Sequence, residues 1–228
     1  VALFAISDLH LDKSGNKPMD VFGDNWYEHD VRIHENWMDK ISDDDTVLIS
    51  GDISWAMDME SAILDLEWIH ELPGRKIFVK GNHDYWWTSI NKLNNLYEDM
   101  KFIQNNFFSY YDYAICGTRG WNCPGSENFT PHDQKIYNRE VLRLKNSLES
   151  ASKNKYEKFI VMMHYPPIGE KFMDSEFTNM FKEYDIEKVI YGHLHGEALL
   201  RAVSGEIDGT EYILTSADYI NFNPVKII

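Results

Sequence analysis

Seven residues of metal-binding type recur in short clusters along this chain: Asp8-x-His10, Gly51-Asp52, Gly81-Asn82, His164 and Gly192-His193-x-His195. Carboxylate oxygen, amide oxygen and imidazole nitrogen together suit divalent ions such as manganese, iron or zinc, whereas calcium would call for oxygen alone. Thiolate is absent from the set. Seven ligands exceed what one ion with an open coordination position can take, but match two ions that share a bridging carboxylate. The chemistry of such a pair is hydrolysis: two ions about 3.5 to 4 Å apart acidify a water between them and clamp the oxygens of an in-line displacement.

Each cluster sits where an apolar, β-branched run of strand length stops. Val1–Ile6 runs into Ser7-Asp8, Thr46–Ser50 into Gly51-Asp52, Lys76–Lys80 into Gly81-Asn82, Phe159–Met163 into His164, and Val189–Tyr191 into Gly192-His193. Continuous apolar runs of this kind suit strands buried on both faces. In open α/β folds ligands gather at the carboxyl ends of such strands, so five strands would bring distant residues to one place.

Helical segments fill the gaps. Ile33, Trp37 and Ile41 share one helical face, as do Met59, Ile63 and Leu66 on a second helix that ends before Pro73-Gly74. A third is expected from about Tyr85 to Tyr97. A fourth begins at Thr130-Pro131, an N-cap with proline at the first helical position, and a fifth lies near Met173 to Tyr184. Antiparallel strands are expected between Phe107 and Gly117, and at a hairpin turning on Asp208-Gly209 before Tyr212-Ile213-Leu214. With no linker, repeat or low-complexity block, residues 1–228 read as a single domain.

These clusters match, in order, the signature of the calcineurin-like metallophosphoesterases, which the chain resembles over nearly its whole length. The resemblance implies an α/β fold, a four-layer α/β/β/α sandwich of two facing mixed sheets flanked by helices. It implies two metal ions as cofactors, Asp8, His10 and His195 on one, Asn82, His164 and His193 on the other, and Asp52 bridging. His83 would sit beside the substrate phosphate as a catalytic residue, with Asp84 orienting it. The expected activity is hydrolysis of a phosphate ester by in-line attack of a hydroxide held between the ions. A diester is favoured as substrate, because Met163-His164-Tyr165-Pro166-Pro167 resembles a loop of small bacterial phosphodiesterases of the cyclic nucleotide type. Ile53-Ser54-Trp55 stands where Ser/Thr protein phosphatases have Asp-Arg-Gly. His83 stands where lipid A precursor pyrophosphatases have arginine. The alternatives are a phosphomonoesterase and, because the fold also serves as a protein-binding subunit, an inactive scaffold; such members lose ligands, whereas every ligand position here is filled and His83 is present.

Around this set, Trp55 and Tyr85 are expected to wall the substrate cleft, while core packing is the expectation for most of Trp86, Trp87 and Trp121. Arg119 would either clamp a phosphate oxygen or form an ion pair. His29 and His132 are candidates for the site mouth, and residues 118–130 for a loop over it. The partner is expected to be a small phosphorylated compound. Twenty-two Lys and Arg against 37 acidic residues, a net charge of -15, speak against general nucleic-acid binding. No apolar run reaches membrane-spanning length, and the N-terminus reads into a strand rather than a signal peptide. Two isolated cysteines, Cys116 and Cys123, suit a reducing compartment, so a cytoplasmic location is expected. The sequon Asn128-Phe129-Thr130 would matter only in a secreted protein.

Overall fold

The structure, a computed structural model, describes residues 1–15, 17, 19–169 and 173–228. Strands β1 (Leu3–Ile6), β2 (Thr46–Ser50), β3 (Arg75–Val79) and β4 (Met100–Phe102) pair in parallel in that order. A second sheet holds β5 (Phe108–Tyr110), β6 (Tyr113–Thr118), β7 (Lys158–Met163), β8 (Lys188–Tyr191), β9 (Gly205–Ile207) and β10 (Thr210–Leu214). Its spatial order is β5-β6-β7-β8-β10-β9, parallel in the middle and antiparallel at both edges. The chain ends by adding β11 (Val225–Lys226) antiparallel to β1.

Alternation along the strands explains why their sequences are apolar throughout. Leu3, Ala5, Leu48, Ile77 and Val79 point inward and meet Ile115, Ile160, Met162 and Ile190 of the facing sheet. Their neighbours Phe4, Ile6, Val47, Ile49 and Phe78 point outward under helices α1 (His29–Lys40) and α2 (Met59–His70), against Ile33, Trp37, Leu66 and Ile69. On the other side Cys116, Phe159, Val161, Val189 and Tyr191 lie under the helices α4 (Pro131–Lys153) and α5 (Glu176–Glu183), with α3 (Ile90–Leu93) a single turn elsewhere. Two mixed sheets face each other and helices cover both outer surfaces, as expected. No helix among the described residues is long and apolar enough to cross a membrane.

The start of α4 follows its sequence closely: Thr130 and Asp133 close a reciprocal capping box, with Pro131 at the first position. The third helix is much shorter than the expected span of about 85 to 97. Trp87 N–H donates to the Asp84 carbonyl and the Trp86 indole to the Asp84 carboxylate, which commits this segment to a turn before α3 can begin. The Phe107–Gly117 region holds only one antiparallel pair, β5 with β6, because β6 is also the parallel neighbour of β7.

Candidate metal centre

Backbone hydrogen bonds lash the strand ends together before any side chain is considered. Asp8 N–H donates to the Gly51 carbonyl at 2.9 Å, His10 N–H to Asp52 at 3.0 Å, and Gly192 N–H to His164 at 3.1 Å. Asp8, His10, Asp52 and His193 all have positive φ, from 45° to 73°. Four non-glycine residues held in the left-handed region at one site are strain that the surrounding structure must impose, and such strain concentrates at functional sites. Close approach fixes two glycines. A Cβ at Gly81 would strike the amide and carboxylate of Asp52, and one at Gly192 would strike the Asp8 carboxylate and the Ser7 hydroxyl.

The expected ligands come together as two groups. Asp8, His10 and His195 form one, and Asp52, His164 and His193 the other; within each, one potential ligand atom per residue lies within 4.8 Å of the others. Asn82 joins the second group, its Oδ1 being 2.7 Å from His164 Nε2. His164 Nδ1 donates to the Ser50 carbonyl at 3.0 Å, so the neutral ring turns the lone pair of Nε2 toward Asn82 Oδ1. The same Nε2 lies 3.2 Å from His193 Nδ1 and 3.4 Å from Asp52 Oδ2. Lone pairs facing one another at these distances are the environment a cation completes.

Charge says the same. Burial drives the pKa of His10 down to about 3, that of His193 to about 4, and that of His164 well below its usual value, leaving neutral imidazoles. Burial pushes the Asp52 carboxyl well up, and the nearby carboxylates of Asp8 and Asp84 add to this. Burial would also raise Asp8, but the charge and hydrogen bond of His195 outweigh it and hold Asp8 ionised. His195 is the exception among the histidines: burial opposes its charge, yet Asp8 and Asp218 carry it up to about 10. A metal ion between Asp8 and His195 would take the place of that proton. Nε2 of His195 is buried without a hydrogen-bond partner among the described residues, which is how a ligand atom looks before an ion is added. The donor set therefore fits two hard-to-borderline divalent ions.

His83 belongs to neither group. Its ring is 34% exposed, lies 4.4 Å from the Trp55 ring between centroids, and brings Nε2 to 4.0 Å from Asp52 Oδ2. Asp84 reaches His83 indirectly. Instead of bonding to the His83 ring, its buried carboxylate accepts from the N–H groups of Gly81 (2.7 Å), Ile53 (2.9 Å) and Ser54 (3.2 Å) and from the Trp86 indole (3.1 Å). It thereby ties the loop after β2 to the loop after β3, and it positions His83 only through the backbone. Asp84→Asn turns an amide N–H2 toward these donors and is expected to destabilise the fold by about 2 kcal/mol, read from chemical denaturation.

A cavity of about 330 Å³ opens onto this centre. His10, Asp52, His193 and His195 form its floor, and Met19, Phe22, Asn25, Trp26, Trp55 and His83 its walls. Trp55 thus lines the cleft as expected. Tyr85 does not; it is exposed, with its ring 6.3 Å from that of His83. Trp86 is buried, Trp87 packs beside the first core, and Trp121 donates to Asp133. Arg119 is not a phosphate clamp here, because its guanidinium pairs with the fully buried Glu140 at 3.4 Å, away from the cavity walls. His29 sits behind the site on the His10 carbonyl, and His132 is exposed on α4. The 118–130 segment is a connection packed through Cys123 and Trp121 on the second core, and it does not line the cavity.

Asp218 is the site residue that the sequence reading missed. It follows β10, a sixth strand ending at the same place, and its Oδ1 accepts from His195 Nδ1 at 2.8 Å, leaving Nε2 for Asp8 and the ion. A carboxylate shortly after an apolar strand was the available signal. Asp218→Asn is expected to weaken metal binding at the Asp8/His10/His195 group by roughly 10- to 100-fold, measured by metal titration.

Comparison with known proteins agrees with this geometry. The gene 66 protein of Mycobacterium phage L5 is 38% identical over 78 residues, 34% of this chain and 37% of that protein. The gene 66 protein of phage D29 is 21% identical over 172 residues, 75% of this chain and 68% of its own length. The chain thus spans about a third of the first relative and two thirds of the second. Among solved structures, the phosphopantetheinyl hydrolase of Mycobacterium tuberculosis superposes with a TM-score of 0.59 at 16% identity, covering 100% of this chain and 95% of that one. The protein TT1561 of Thermus thermophilus gives 0.59 at 12% identity, covering 94% and 88%. Likeness at these identities speaks for the fold. The family model described as calcineurin-like phosphoesterase matches residues 2–197, a span that includes both ligand groups, and the chain belongs to that family.

Proposed function

We propose that this protein is a binuclear metal-dependent phosphohydrolase that cleaves a small phosphate diester. The observation that carries the reading is the pair of ligand groups, Asp8/His10/His195 and Asp52/His164/His193 with Asn82, each of which presents members to one cavity: His10 and His195 from the first, Asp52 and His193 from the second. In this reading Asp52 is the shared ligand, since its Oδ2 lies 3.4 Å from His164 Nε2 and 3.8 Å from His10 Nε2. When bound, two ions of the manganese, iron or zinc type supply an acidified water and neutralise the phosphoryl oxygens. The protein supplies orientation. Asp218 and the Ser50 carbonyl fix the tautomers of His195 and His164, and Asp84 holds the loops that place Asn82 and His83. Burial keeps the His83 ring neutral, and from the cavity wall its N–H is placed to donate to a phosphoryl or leaving-group oxygen.

Preference for a diester is supported by the charge of the walls. Among the described residues no lysine or arginine lines the cavity, and Lys17, whose ammonium lies 5.2 Å over the Trp55 ring, lines the neighbouring one, so the cavity offers a doubly charged monoester no lysine or arginine for its second charge. A singly charged diester needs none. The test is turnover of nitrophenyl phosphate monoester and diester by metal-stripped protein titrated with Mn2+, Zn2+ and Mg2+. Faster hydrolysis of the diester is expected. Monoester preference would make the protein a phosphatase on the same site, and no turnover with any ion would make it an inactive scaffold.

A further inference from the structure

We propose that Lys80, Arg119 and Arg143 form a binding site for a compact dianionic oxyanion, inorganic phosphate or the phosphoryl group of a monoester, outside the catalytic cavity. The site is built around Glu140, a fully buried carboxylate on α4. Three guanidiniums converge on its Oε1, Arg119 at 3.4 Å, Arg139 at 3.4 Å and Arg143 at 2.9 Å, while Oε2 accepts from the Thr118 hydroxyl at 2.8 Å. One buried carboxylate needs one cation for neutrality. A fourth cation, Lys80, lines the same recess, and its ammonium makes no hydrogen bond or ion pair among the described residues. The charges that face Lys80 are the cations Arg119 and Arg143 and the carboxylates Glu140 and Asp84, and the Asp84 carboxylate is already filled by four N–H donors. Four cations against two carboxylates leave a surplus of two positive charges, in a chain with 37 acidic residues of which none other is placed to offset them. That surplus is the charge of a dianion. Like charges held together cost free energy that an anion between them removes.

Hydrogen-bond donors are in surplus too. Each guanidinium carries N–H groups in a fixed fork, more than one carboxylate oxygen can take from three of them, and the two contacts at 3.4 Å are longer than an ordinary hydrogen bond. Arg119 Nε is buried with no hydrogen-bond partner among the described residues, and its guanidinium lies over the Trp121 ring, 4.7 Å from Cζ to the ring centre. A phosphate-type oxyanion accepts from such forks through two oxygens at once. The recess has a volume of only about 10 Å³, room for one water, so the anion sits at its mouth, where Lys80 and Arg143 are half-buried. Lys80 immediately precedes Gly81-Asn82, and the Arg119 carbonyl accepts from the N–H groups of His164 at 3.1 Å and Tyr165 at 3.0 Å. The site therefore lies against the backbone that carries Asn82 and His164 of the second ligand group, yet shares no lining residue with the catalytic cavity.

The test is a calorimetric titration of inorganic phosphate into the Mn2+-loaded protein, with nitrophenyl ester turnover followed on the same preparation. Two phosphate sites are expected, one at the metal ions and one at the Lys80 cluster. Lys80→Met should weaken only the second, by roughly tenfold or more, and leave turnover without added phosphate unchanged, while Lys80→Arg should keep it. Arg143→Met should act as Lys80→Met does. It also takes a partner from Glu140, so its melting temperature is checked, and the unpaired Lys80 carries the test if that variant fails to fold. Phenylphosphonate, an uncleavable phosphoryl group on an aryl ring, separates the two sources of the ligand. Binding of both compounds at the cluster identifies the phosphoryl end of a larger molecule, and binding of phosphate alone identifies the free ion. A single phosphate site in the wild type, or a second site that Lys80→Met does not weaken, overturns the proposal.

Discussion

Asp52→Asn is expected to abolish binding of both ions while making the metal-free fold at least as stable as the wild type. Three buried carboxylates, Asp8, Asp52 and Asp84, crowd this centre, and burial together with the other two raises the Asp52 pKa well above its usual value. Without cations that repulsion is a standing cost, and a neutral amide of the same shape removes it. With cations the sign reverses. One carboxylate oxygen faces ligand atoms of both groups, at 3.4 Å and 3.8 Å, so its loss takes charge from both sites at once. Turnover is expected to fall on the order of 10³-fold or more. Metal titration and thermal melting of stripped protein read the two halves separately. Loss of one ion with retention of the other would show that Asp52 does not bridge.

His83→Ala is expected to leave both ions bound and to reduce kcat by roughly 10²- to 10³-fold. The imidazole is outside both ligand groups, and the contact that ties this residue to the centre is made by its backbone: His83 N–H donates to Asp52 Oδ1 at 2.8 Å and survives the substitution. What disappears is the ring on the cavity wall. A purely structural histidine would leave kcat near wild type, and a ligand would lose metal as Asp52→Asn does. The variant therefore distinguishes three roles for one residue.

The centre was readable because its logic is local. A buried parallel strand is apolar along its whole length, so the abrupt polar residue at each of five strand ends stands out, from Asp8 to His195. The partition of those strands into two sheets is not local. It depends on Leu48 and Ile77 facing Ile160 and Ile190 across the sandwich, contacts between residues far apart in sequence whose types do not reveal which face they occupy. Asp218 escaped notice because β10 read as half of a hairpin, which it is, while its second role as a parallel neighbour of β8 brings Asp218 to the site. For Asp84 the resemblance implied an orienting role toward His83 without a contact to carry it; its hydrogen bonds run to Ile53 and Ser54, some thirty positions back, where no local pattern announces them. Phe22 and Asn25 lie in two short 3-10 turns, Met19–Phe22 and Asp24–Trp26, with no periodicity to mark them.

The most direct measurement is a Mn2+ titration of metal-stripped protein in which bound metal and nitrophenyl ester turnover are followed in the same samples. Two equivalents bound, with turnover appearing as the sites fill, is the predicted result. Saturation at a single equivalent, or two equivalents bound with no turnover of either ester, would contradict a binuclear phosphohydrolase.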